Sequence, residues 1–402
     1  MPVDNSRNCQ KNKLVNISEN LDRAIVSNKP VSGLTHNFYR YPARFSPEFA
    51  KQTIQSFTKN HDCVLDPFVG GGTSIVEALA LGRRAIGIDI NSLACFVSNV
   101  KTTPLSSNDI NSIIAWSKKV LVTSPSMDLQ INSSSISFFR NMPPEIACFL
   151  VHASILAREL PFNRQRRFAH CAVIRTGQLS LDCRRKIPDL LEVKITFERT
   201  IQDMVAGHNE FVSAIKSYGI PKYKITSMRK IFWASSGGSS IDRIIASYPV
   251  KPTLVLTSPP YPQTHILYNK WQVLGRRETT AHYALADLRD GRGPSYYTMG
   301  SRSEKGLNDY LQQLLKIFRN LRTVIDSNAI VAQLVAFPDE DMVMAKYLSM
   351  MQQSGFEPVA LNQGGTLIGS RCRTVPNRRW YAYCHEKQAS SREIFMIHRV
   401  KR

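Results

Sequence analysis

The stretch CVLDPFVGGGTSIVEALALGRRAIGIDI (residues 63–90) decides the fold class. CVLD predicts a short buried strand, TSIVEALALG a helix that ends at Gly82, and RAIGID a second apolar strand. A strand, a glycine-rich turn, a helix and a second strand together form a βαβ unit. We therefore predict an α/β fold of Rossmann type, with a mixed but mostly parallel sheet.

Asp66, Gly70 and Gly72 mark a ligand-binding turn between the first strand and the helix. Glycine lets the backbone turn sharply and approach a ligand that a Cβ atom would keep away. Asp89 closes the second strand 23 residues after Asp66, where an acid can accept hydrogen bonds from ribose hydroxyls. No Gly-Lys-Ser/Thr follows, which excludes a P-loop. An acid at Asp66 suits a positive ammonium group, so charge complementarity favours S-adenosylmethionine, with its adenine against Ile90.

A second motif, TSPPY (257–261), follows the apolar run TLVL at the end of a predicted strand, the edge where open α/β sheets bind ligands. An exocyclic amino nitrogen of a base is a poor nucleophile because its lone pair is delocalised into the ring. Ser258 and the carbonyl of Pro259 can accept its two N–H groups, while Pro259 and Pro260 stiffen the turn. Tyr261 offers a face on which a flipped-out base can stack. The motif therefore predicts methyl transfer to such an amine without a strong general base.

The remainder of the chain predicts one large domain with an insertion. Residues 1–30 are polar, and we expect them to be flexible. Residues 105–222 carry helical patterns and predict an inserted α-helical module that interrupts the catalytic domain, which comprises residues 31–104 and 223–402. Further strands are expected near 230–236, 253–257, 329–337, 357–361 and 379–384.

Composition limits the partners and the compartment. Lys and Arg number 52 against 31 acids, a net charge of +21, which favours polyanionic partners such as nucleic acid. The eight cysteines form no C-x-x-C pair, so we expect reduced thiols and no metal site. No apolar run is long enough for a membrane span, and the N-terminus lacks the apolar core of a signal peptide, so we expect a cytoplasmic protein.

These motifs resemble those of the DNA amino-methyltransferases of restriction–modification systems, over roughly residues 35–100 and 225–385. DPFVGGGT is similar to their cofactor motif, and TSPPY to the cytosine-N4 form of their catalytic motif. FYRYPARFSPEFA (38–50) is similar to the segment that packs over the methionine end of the cofactor, which implicates Phe45.

The resemblance implies a class I methyltransferase domain and a nucleoid-associated prokaryotic enzyme that acts on double-stranded DNA beside a cognate restriction endonuclease. It assigns catalytic roles to Ser258, Pro259 and Tyr261, and cofactor roles to Asp66, Phe68, Gly70, Gly72, Thr73 and Asp89. The chain departs from the family after the third strand, where KIFWASSGG (230–238) has no acid, so Ser235 or a backbone group is expected in its place.

Two segments are candidates for DNA contact because arginines cluster in them. The loop 265–305 follows the TSPPY motif closely and mixes aromatic residues with arginines, and we expect it near the target base. The helical insertion carries a basic cluster at 161–186, which we expect to grip phosphates or read sequence. The candidate residues are Arg276, Arg277, Arg289, Arg292 and Arg302 in the loop, and Arg166, Arg167, Arg184 and Arg185 in the insertion.

Alternatives to cytosine-N4 methylation remain open at the sequence level. Adenine-N6 methylation is the first, although adenine-modifying members more often carry aspartate or asparagine where this chain has Ser258. Methylation of RNA and a catalytically silent DNA-binding protein are two others. Cytosine carbon-5 methylation is excluded, because it requires a cysteine nucleophile in a Pro-Cys turn and the chain has no Pro-Cys dipeptide.

Overall fold

The architecture is described from a computed structural model. It covers residues 14–27, 29, 31–41, 45–124, 137–238, 245, 248–262, 270–275, 277–289, 299, 303–337, 340–363, 366–374 and 392–401. The strands are β1 (Leu14–Asn16), β2 (Cys63–Asp66), β3 (Arg84–Asp89), β4 (Arg229–Trp233), β5 (Pro252–Thr257), β6 (Trp271–Val273), β7 (Arg277–Thr279), β8 (Ile330–Val335), β9 (Phe356–Pro358), β10 (Ala360–Gln363), β11 (Thr366–Ile368), β12 (Arg371–Thr374) and β13 (Arg392–Val400).

The α-helices are α1 (Glu19–Val26), α2 (Pro47–Phe57), α3 (Thr73–Ala80), α4 (Ser92–Lys101), α5 (Ser107–Val122), α6 (Pro144–Ala157), α7 (Asn163–Leu181), α8 (Leu190–Lys216), α9 (Ala281–Leu285), α10 (Glu304–Val324) and α11 (Glu340–Gln353). Short 3₁₀ helices cover His36–Phe38 and Lys222–Met228. Among the described residues, no helix is both long and apolar enough to cross a membrane.

The central sheet has the strand order β12-β13-β8-β5-β2-β3-β4, and β9 also pairs with β13. The strands from β8 to β4 are parallel, whereas β13 is antiparallel to β8, β9 and β12. The predicted Rossmann-like α/β fold with a mostly parallel sheet is confirmed. The chain leaves β2 for β3 on one side and returns as β5 on the other, which makes β2 a switch point. Ligands bind at the carboxyl ends of strands at such a point.

Apolar layers cover both faces of this sheet. On one face, Phe49, Leu79 and Phe211 from α2, α3 and α8 pack against the sheet strands. On the other face, Leu314 and Met351 from α10 and α11 do the same. Because β2 and β5 are buried on both sides, they consist of almost uninterrupted apolar residues.

Helices α5 to α8 form the segment that the sequence predicts as an insertion. Helix α5 begins with a capping box of Ser106 and Asp109, and α8 begins with one of Asp189 and Glu192. The helices share their core with α4 and with the 36–41 segment, so they pack directly on the Rossmann-like part.

The hairpin β6–β7 follows the TSPPY motif in sequence but packs with the helices. Trp271 and Val273 are fully buried in the same core as α6 and α7. The indole of Trp271 donates a hydrogen bond to the hydroxyl of Tyr39 at 2.8 Å. The hairpin, which follows the TSPPY motif in sequence, is therefore packed on the helical segment.

The expectation of a flexible segment over residues 1–30 is wrong for residues 14–27. Strand β1 pairs in parallel with β10, and helix α1 follows with Ser18 as its N-cap. Leu21 and Ile25 are fully buried, and burial of such side chains outweighs the polar composition around them. Residues 1–13 lie outside the described part of the chain.

The end of the sheet also differs in part from the prediction. Strands β9 and β10 confirm the strands expected near 357–361, whereas 379–384 lies outside the described residues. The strand that inserts between β8 and β12 is β13, which the sequence analysis did not predict. Its residues Ile394–Ile397 are all buried, so the strand lacks the alternation of polar and apolar residues that marks a half-exposed strand.

Candidate active site

The glycine turn connects β2 to α3. Gly70 and Gly72 have φ values of +47° and +77°, a region that residues with a Cβ atom rarely adopt. A Cβ atom on Gly72 would lie 2.6 Å from the Oγ of Ser98. Beside it, the ammonium group of Lys101, a buried side chain, donates to the carbonyl of Gly71 at 2.8 Å. The turn is thus held in an unusual backbone shape by buried neighbours.

Asp66 lies at the end of β2 and links the two predicted motifs. Its carboxylate accepts hydrogen bonds from the hydroxyls of Ser74 at 2.5 Å and Thr257 at 2.8 Å, and from the N–H of Phe68 at 3.1 Å. Burial raises the pKa of Asp66 to about 6, against the lowering effect of these hydrogen bonds. Thr257 is the first residue of TSPPY, so the glycine turn and this motif begin side by side at one edge of the sheet.

Asp89 lies at the end of the adjacent strand β3. Its carboxylate accepts the N–H of Gly70 at 2.9 Å and the N–H of Asn91 at 2.8 Å, one on each oxygen. Burial raises its pKa to about 6, and the two backbone N–H groups oppose that shift. Each carboxylate oxygen can accept two hydrogen bonds, so both oxygens of Asp89 can still accept a hydrogen bond from a ribose hydroxyl.

Trp233 is a candidate site residue that the sequence analysis missed. It pairs with Asp89 in the β3–β4 register, and its indole donates to the carbonyl of Ile90 at 2.8 Å. The side chain is 59% exposed, which is unusual for so large an apolar group. Ser235, expected there in place of an acid, is exposed, whereas the hydroxyl of Ser236 donates to the carbonyl of Pro67 at 2.6 Å.

The TSPPY motif turns away from the end of β5. Ser258, Pro260 and Tyr261 are half-buried, and Pro259 is buried. The hydroxyl of Ser258 lies 3.4 Å from that of Tyr261, whose own hydroxyl donates to Oε1 of Glu393 at 2.5 Å. Tyr261 is therefore fixed at its polar end without being sealed in the core.

Comparison with known proteins finds similarity to DNA methylases over part of the chain. Residues 6–99 match the model of the DNA methylase family. This part of the chain, less than a quarter of its length, is similar to that family. It is 40% identical over 85 residues to the type II methyltransferase M.MvaI of Kocuria varians, an overlap of 20% of this chain and 19% of that protein. It is 33% identical over 81 residues to M.MjaII of Methanocaldococcus jannaschii, an overlap of 19% and 14%.

A further relative, M.BsoBI of Geobacillus stearothermophilus, is 41% identical over 81 residues, or 19% of this chain and 16% of that protein. All three are type II methyltransferases. The matched segments span less than a fifth of each relative's length.

The similarity to the DNA methylase family implies S-adenosylmethionine as the methyl donor, and the residues of this chain fit it. Asp89 faces the glycine turn, accepts one backbone N–H on each carboxylate oxygen and keeps acceptor capacity for the hydroxyls of a ribose. Thr73 begins α3 and is buried, while Phe68 and Ile90 are half-buried at the turn and after β3. Phe45 differs, because its ring packs edge-on against Phe49 in the core, with centroids 5.6 Å apart.

The basic cluster at 161–186 does not form one surface. Arg164 is paired with Asp109 at 2.7 Å, and Arg166 donates to the carbonyl of Leu160. The guanidinium of Arg167 lies 5.6 Å from the centre of the Phe96 ring, and burial lowers its pKa. Arg184 and Arg185 remain exposed on the turn after α7.

That turn packs against the hairpin, which brings the two predicted DNA-contact regions together. The N–H of Cys183 donates to the carbonyl of Gln272 at 2.7 Å, and Arg184 pairs with Val273. On the far strand of the hairpin, β7, a groove of about 410 Å³ is lined by Ser137, Arg140, Asn141, Lys270, Arg277, Glu278, Thr279 and Thr280. Of the other loop candidates, Arg289 is exposed, and Arg276, Arg292 and Arg302 lie outside the described residues.

Proposed function

We propose that this protein transfers a methyl group from S-adenosylmethionine to the exocyclic N4 amine of a cytosine that is flipped out of double-stranded DNA. The hydrogen bond between Thr257 and Asp66 carries the proposal. At 2.8 Å it fixes the start of the TSPPY motif against the start of the glycine turn. A donor held by one segment and an amine held by the other would then meet in a single pocket, as methyl transfer requires.

The TSPPY motif supplies hydrogen-bond acceptors for the amine. If the Ser258 hydroxyl and the Pro259 carbonyl each accept one N–H, the nitrogen lone pair is directed out of the ring plane toward the donor. When bound, S-adenosylmethionine would supply an electrophilic methyl group, and its sulfur would keep the electron pair of the broken carbon–sulfur bond as the nitrogen lone pair attacks. The nitrogen then loses a proton, so the attack itself requires no strong base.

The cofactor would be held mainly by backbone and carboxylate groups. Asp89 would accept the ribose hydroxyls, and Ile90 and Trp233 would flank the adenine. The glycine turn would pass below the methionine moiety, near Asp66. The support for this arrangement is the exposed indole of Trp233 beside Ile90 and the remaining acceptor capacity of Asp89.

Serine at the second position of TSPPY favours cytosine over adenine, by resemblance to the cytosine-N4 form. Adenine-N6 methylation, methylation of RNA and a silent DNA-binding protein are the competing functions. The proposed function and these three alternatives give different results in a methylation assay. A cognate restriction endonuclease remains part of the proposal through the family resemblance alone.

The experiment that tests the function is expression in a host without DNA methylation, followed by mapping of modified bases and mass spectrometry of nucleosides. N4-methylcytosine at one sequence is the expected result. Detection of N6-methyladenine would instead identify adenine as the target base. Modified RNA with unmodified DNA would assign the activity to RNA. DNA binding without any methylated nucleoside would favour the silent protein.

The variant Ser258→Ala tests the assigned chemistry. We expect it to bind S-adenosylmethionine normally and to lose most methyl transfer, by roughly 100-fold or more. The matched control is Ser217→Ala, which removes an exposed serine hydroxyl at the opposite edge of the sheet. Full transfer by Ser258→Ala would refute the role of this serine.

Contact with the DNA backbone is proposed for the groove beside the hairpin. Arg140, Lys270 and Arg277 line it with Glu278 as the one acid among its lining residues, so the groove is positive. Lys270 is paired with Glu278 at 2.5 Å, whereas Arg140 and Arg277 are exposed and belong to no ion pair among the described residues. Exposed arginines of this kind suit phosphate oxygens.

The salt dependence of DNA binding tests the groove. Replacing both Arg140 and Arg277 with alanine should lower the slope of log affinity against log salt by about 2, since each phosphate contact contributes about 0.9. The charge-matched control replaces Lys59 and Lys216, which are exposed at the opposite edge of the sheet. An equal loss of slope in both double variants would show a general charge effect and exclude the groove.

A further inference from the structure

Strand β13 brings a buried acid to the TSPPY motif from a distant part of the sequence. Glu393 lies 132 residues after Tyr261 and accepts the tyrosine hydroxyl on Oε1 at 2.5 Å. Its other oxygen, Oε2, accepts Nε of Arg373 at 2.7 Å and Nη2 of the same side chain at 2.5 Å. The side chains of Glu393 and Arg373 are only 6% and 8% exposed.

We infer that Glu393, held by Arg373, is a positioning residue that fixes the direction of the hydrogen bonds at Tyr261 and Ser258. This inference rests on the proposed function, because it assigns Ser258 the role of acceptor for the substrate amine. Glu393 itself does not reach the amine in this assignment. It acts through the tyrosine hydroxyl.

The direction of the hydrogen bonds follows from the charge of the acid. An ionised carboxylate has no proton and can only accept, so the hydroxyl of Tyr261 must donate to Glu393. The oxygen of Tyr261 then has lone pairs available for the proton of Ser258. The Ser258–Tyr261 distance of 3.4 Å is long, as catalytic hydrogen bonds often are before substrate is bound.

A serine hydroxyl that points its proton at Tyr261 presents its lone pairs elsewhere. That is the state required of an acceptor for an amine N–H. If the proton were free to rotate, the same hydroxyl could donate to the nitrogen and occupy the lone pair that attacks the methyl group. Glu393 therefore favours the productive orientation of Ser258, and it holds the ring of Tyr261 in one place for stacking.

Stability alone is a weak explanation for this buried pair. Removing an acid and an arginine from water costs about as much as their attraction returns, so well-packed apolar residues serve a core equally well. Strand β12 has a second Arg–acid pair two residues earlier, whose side chains are more exposed, at 35% for the arginine and 13% for the acid. Arg371 binds Asp22 of α1, with Nε and Oδ1 2.7 Å apart, and its partner does not contact the TSPPY motif.

A double-mutant cycle separates positioning from a purely structural role. We expect Glu393→Gln and Tyr261→Phe each to lower kcat by roughly 10–100-fold, within the range that misplacement of a reacting group produces. The affinity for S-adenosylmethionine, measured by calorimetry, should stay the same. The double variant should be no slower than the slower single variant, because both changes interrupt one chain of hydrogen bonds.

The control is Asp22→Asn, which breaks the neighbouring ion pair between Asp22 of α1 and Arg371 of β12. It should lower the melting temperature, by less than Glu393→Gln because its pair is more exposed, and leave kcat unchanged. Losses of kcat that multiply in the double variant would overturn the inference, since Glu393 would then act independently of Tyr261. If Glu393→Gln does not fold, Tyr261→Phe decides alone: unchanged kcat in that variant overturns the inference.

The outcome for Ser258→Ala distinguishes this inference from the proposed function. If Ser258→Ala is inactive and Glu393→Gln retains full kcat, the inference fails and the proposed function stands. If Ser258→Ala retains full transfer, the proposed function fails, and the role given to Glu393 fails with it.

Discussion

Replacing Gly72 with alanine should destabilise the protein and weaken its binding of S-adenosylmethionine. The residue has a φ of +77°, and an added Cβ atom would lie 2.6 Å from Oγ, 3.0 Å from Cβ and 3.1 Å from Cα of Ser98. The last two contacts are with atoms that a side-chain rotation cannot remove. Ser98 also donates its hydroxyl to the carbonyl of Gly70 at 3.1 Å, so a displaced Ser98 would shift the turn.

The magnitude has two parts. Left-handed backbone at a residue with a Cβ atom costs about 1–2 kcal/mol, offset by about 0.4–1 kcal/mol because alanine restricts the unfolded chain. Overpacking against Ser98 adds about 1–3 kcal/mol. Gly219 is a matched control, because its φ is +74° and nothing lies within 4 Å of an added Cβ atom. Gly219→Ala therefore measures the backbone part alone.

Urea unfolding of both variants measures the difference, which should be about 1–3 kcal/mol, and calorimetry measures cofactor affinity. Gly219→Ala should bind S-adenosylmethionine like the unmodified protein. Adding Ser98→Gly to Gly72→Ala removes the contacts with Oγ and Cβ and should restore part of the stability. The reasoning is refuted if Gly72→Ala and Gly219→Ala lose the same free energy of unfolding.

Three further predictions concern the same edge of the sheet. Because burial raises the pKa of Asp89 to about 6 and its ionised form accepts the ribose, affinity for S-adenosylmethionine should be full above that pH and fall by up to about tenfold per unit below it. Calorimetry across this range checks it, and an affinity independent of pH contradicts it. S-adenosylmethionine should quench the fluorescence of Trp233, and Trp233→Phe should remove that change; quenching that persists would place the cofactor elsewhere. Thr257→Val should cost about 1–3 kcal/mol by leaving buried Asp66 without one donor. Thr253, in the same strand, has a buried hydroxyl with no hydrogen-bond partner among the described residues, so Thr253→Val should cost less. Equal losses of unfolding free energy in urea would show that the Asp66 contact is unimportant.

The residues that could be predicted from the sequence are those whose local pattern determines their position. Gly70 and Gly72 lie between a strand and a helix that the apolar pattern predicts, and Thr257 directly follows the apolar run LVL (254–256). Parallel strands of such a sheet end at one edge, so the contact between Asp66 and Thr257 follows from the fold. The two hydrogen-bonded residues are 191 positions apart in sequence, yet the sheet topology predicts that their side chains lie close together.

Other site residues could not be predicted, because their position depends on pairing between distant strands. Glu393 reaches Tyr261 through the register of β13 with β12 and β8, and its local sequence REIFMIHRV resembles any buried strand. Arg373 lies on β12, and its ion pair with Glu393 depends on the strand register that places the two residues directly opposite each other. Trp233 is a large apolar residue of the kind that is usually buried, and its exposure is apparent only in the three-dimensional structure.

The position of β13 inside the sheet has a consequence for incomplete chains. A fragment that ends before Arg392 would contain the glycine turn and TSPPY, yet it would lack the strand that covers β8 and the acid that orients Tyr261. Such a fragment would expose the apolar edge of β8 and be prone to aggregation and proteolysis. Premature termination or cleavage before Arg392 would therefore leave the central sheet incomplete beside β8.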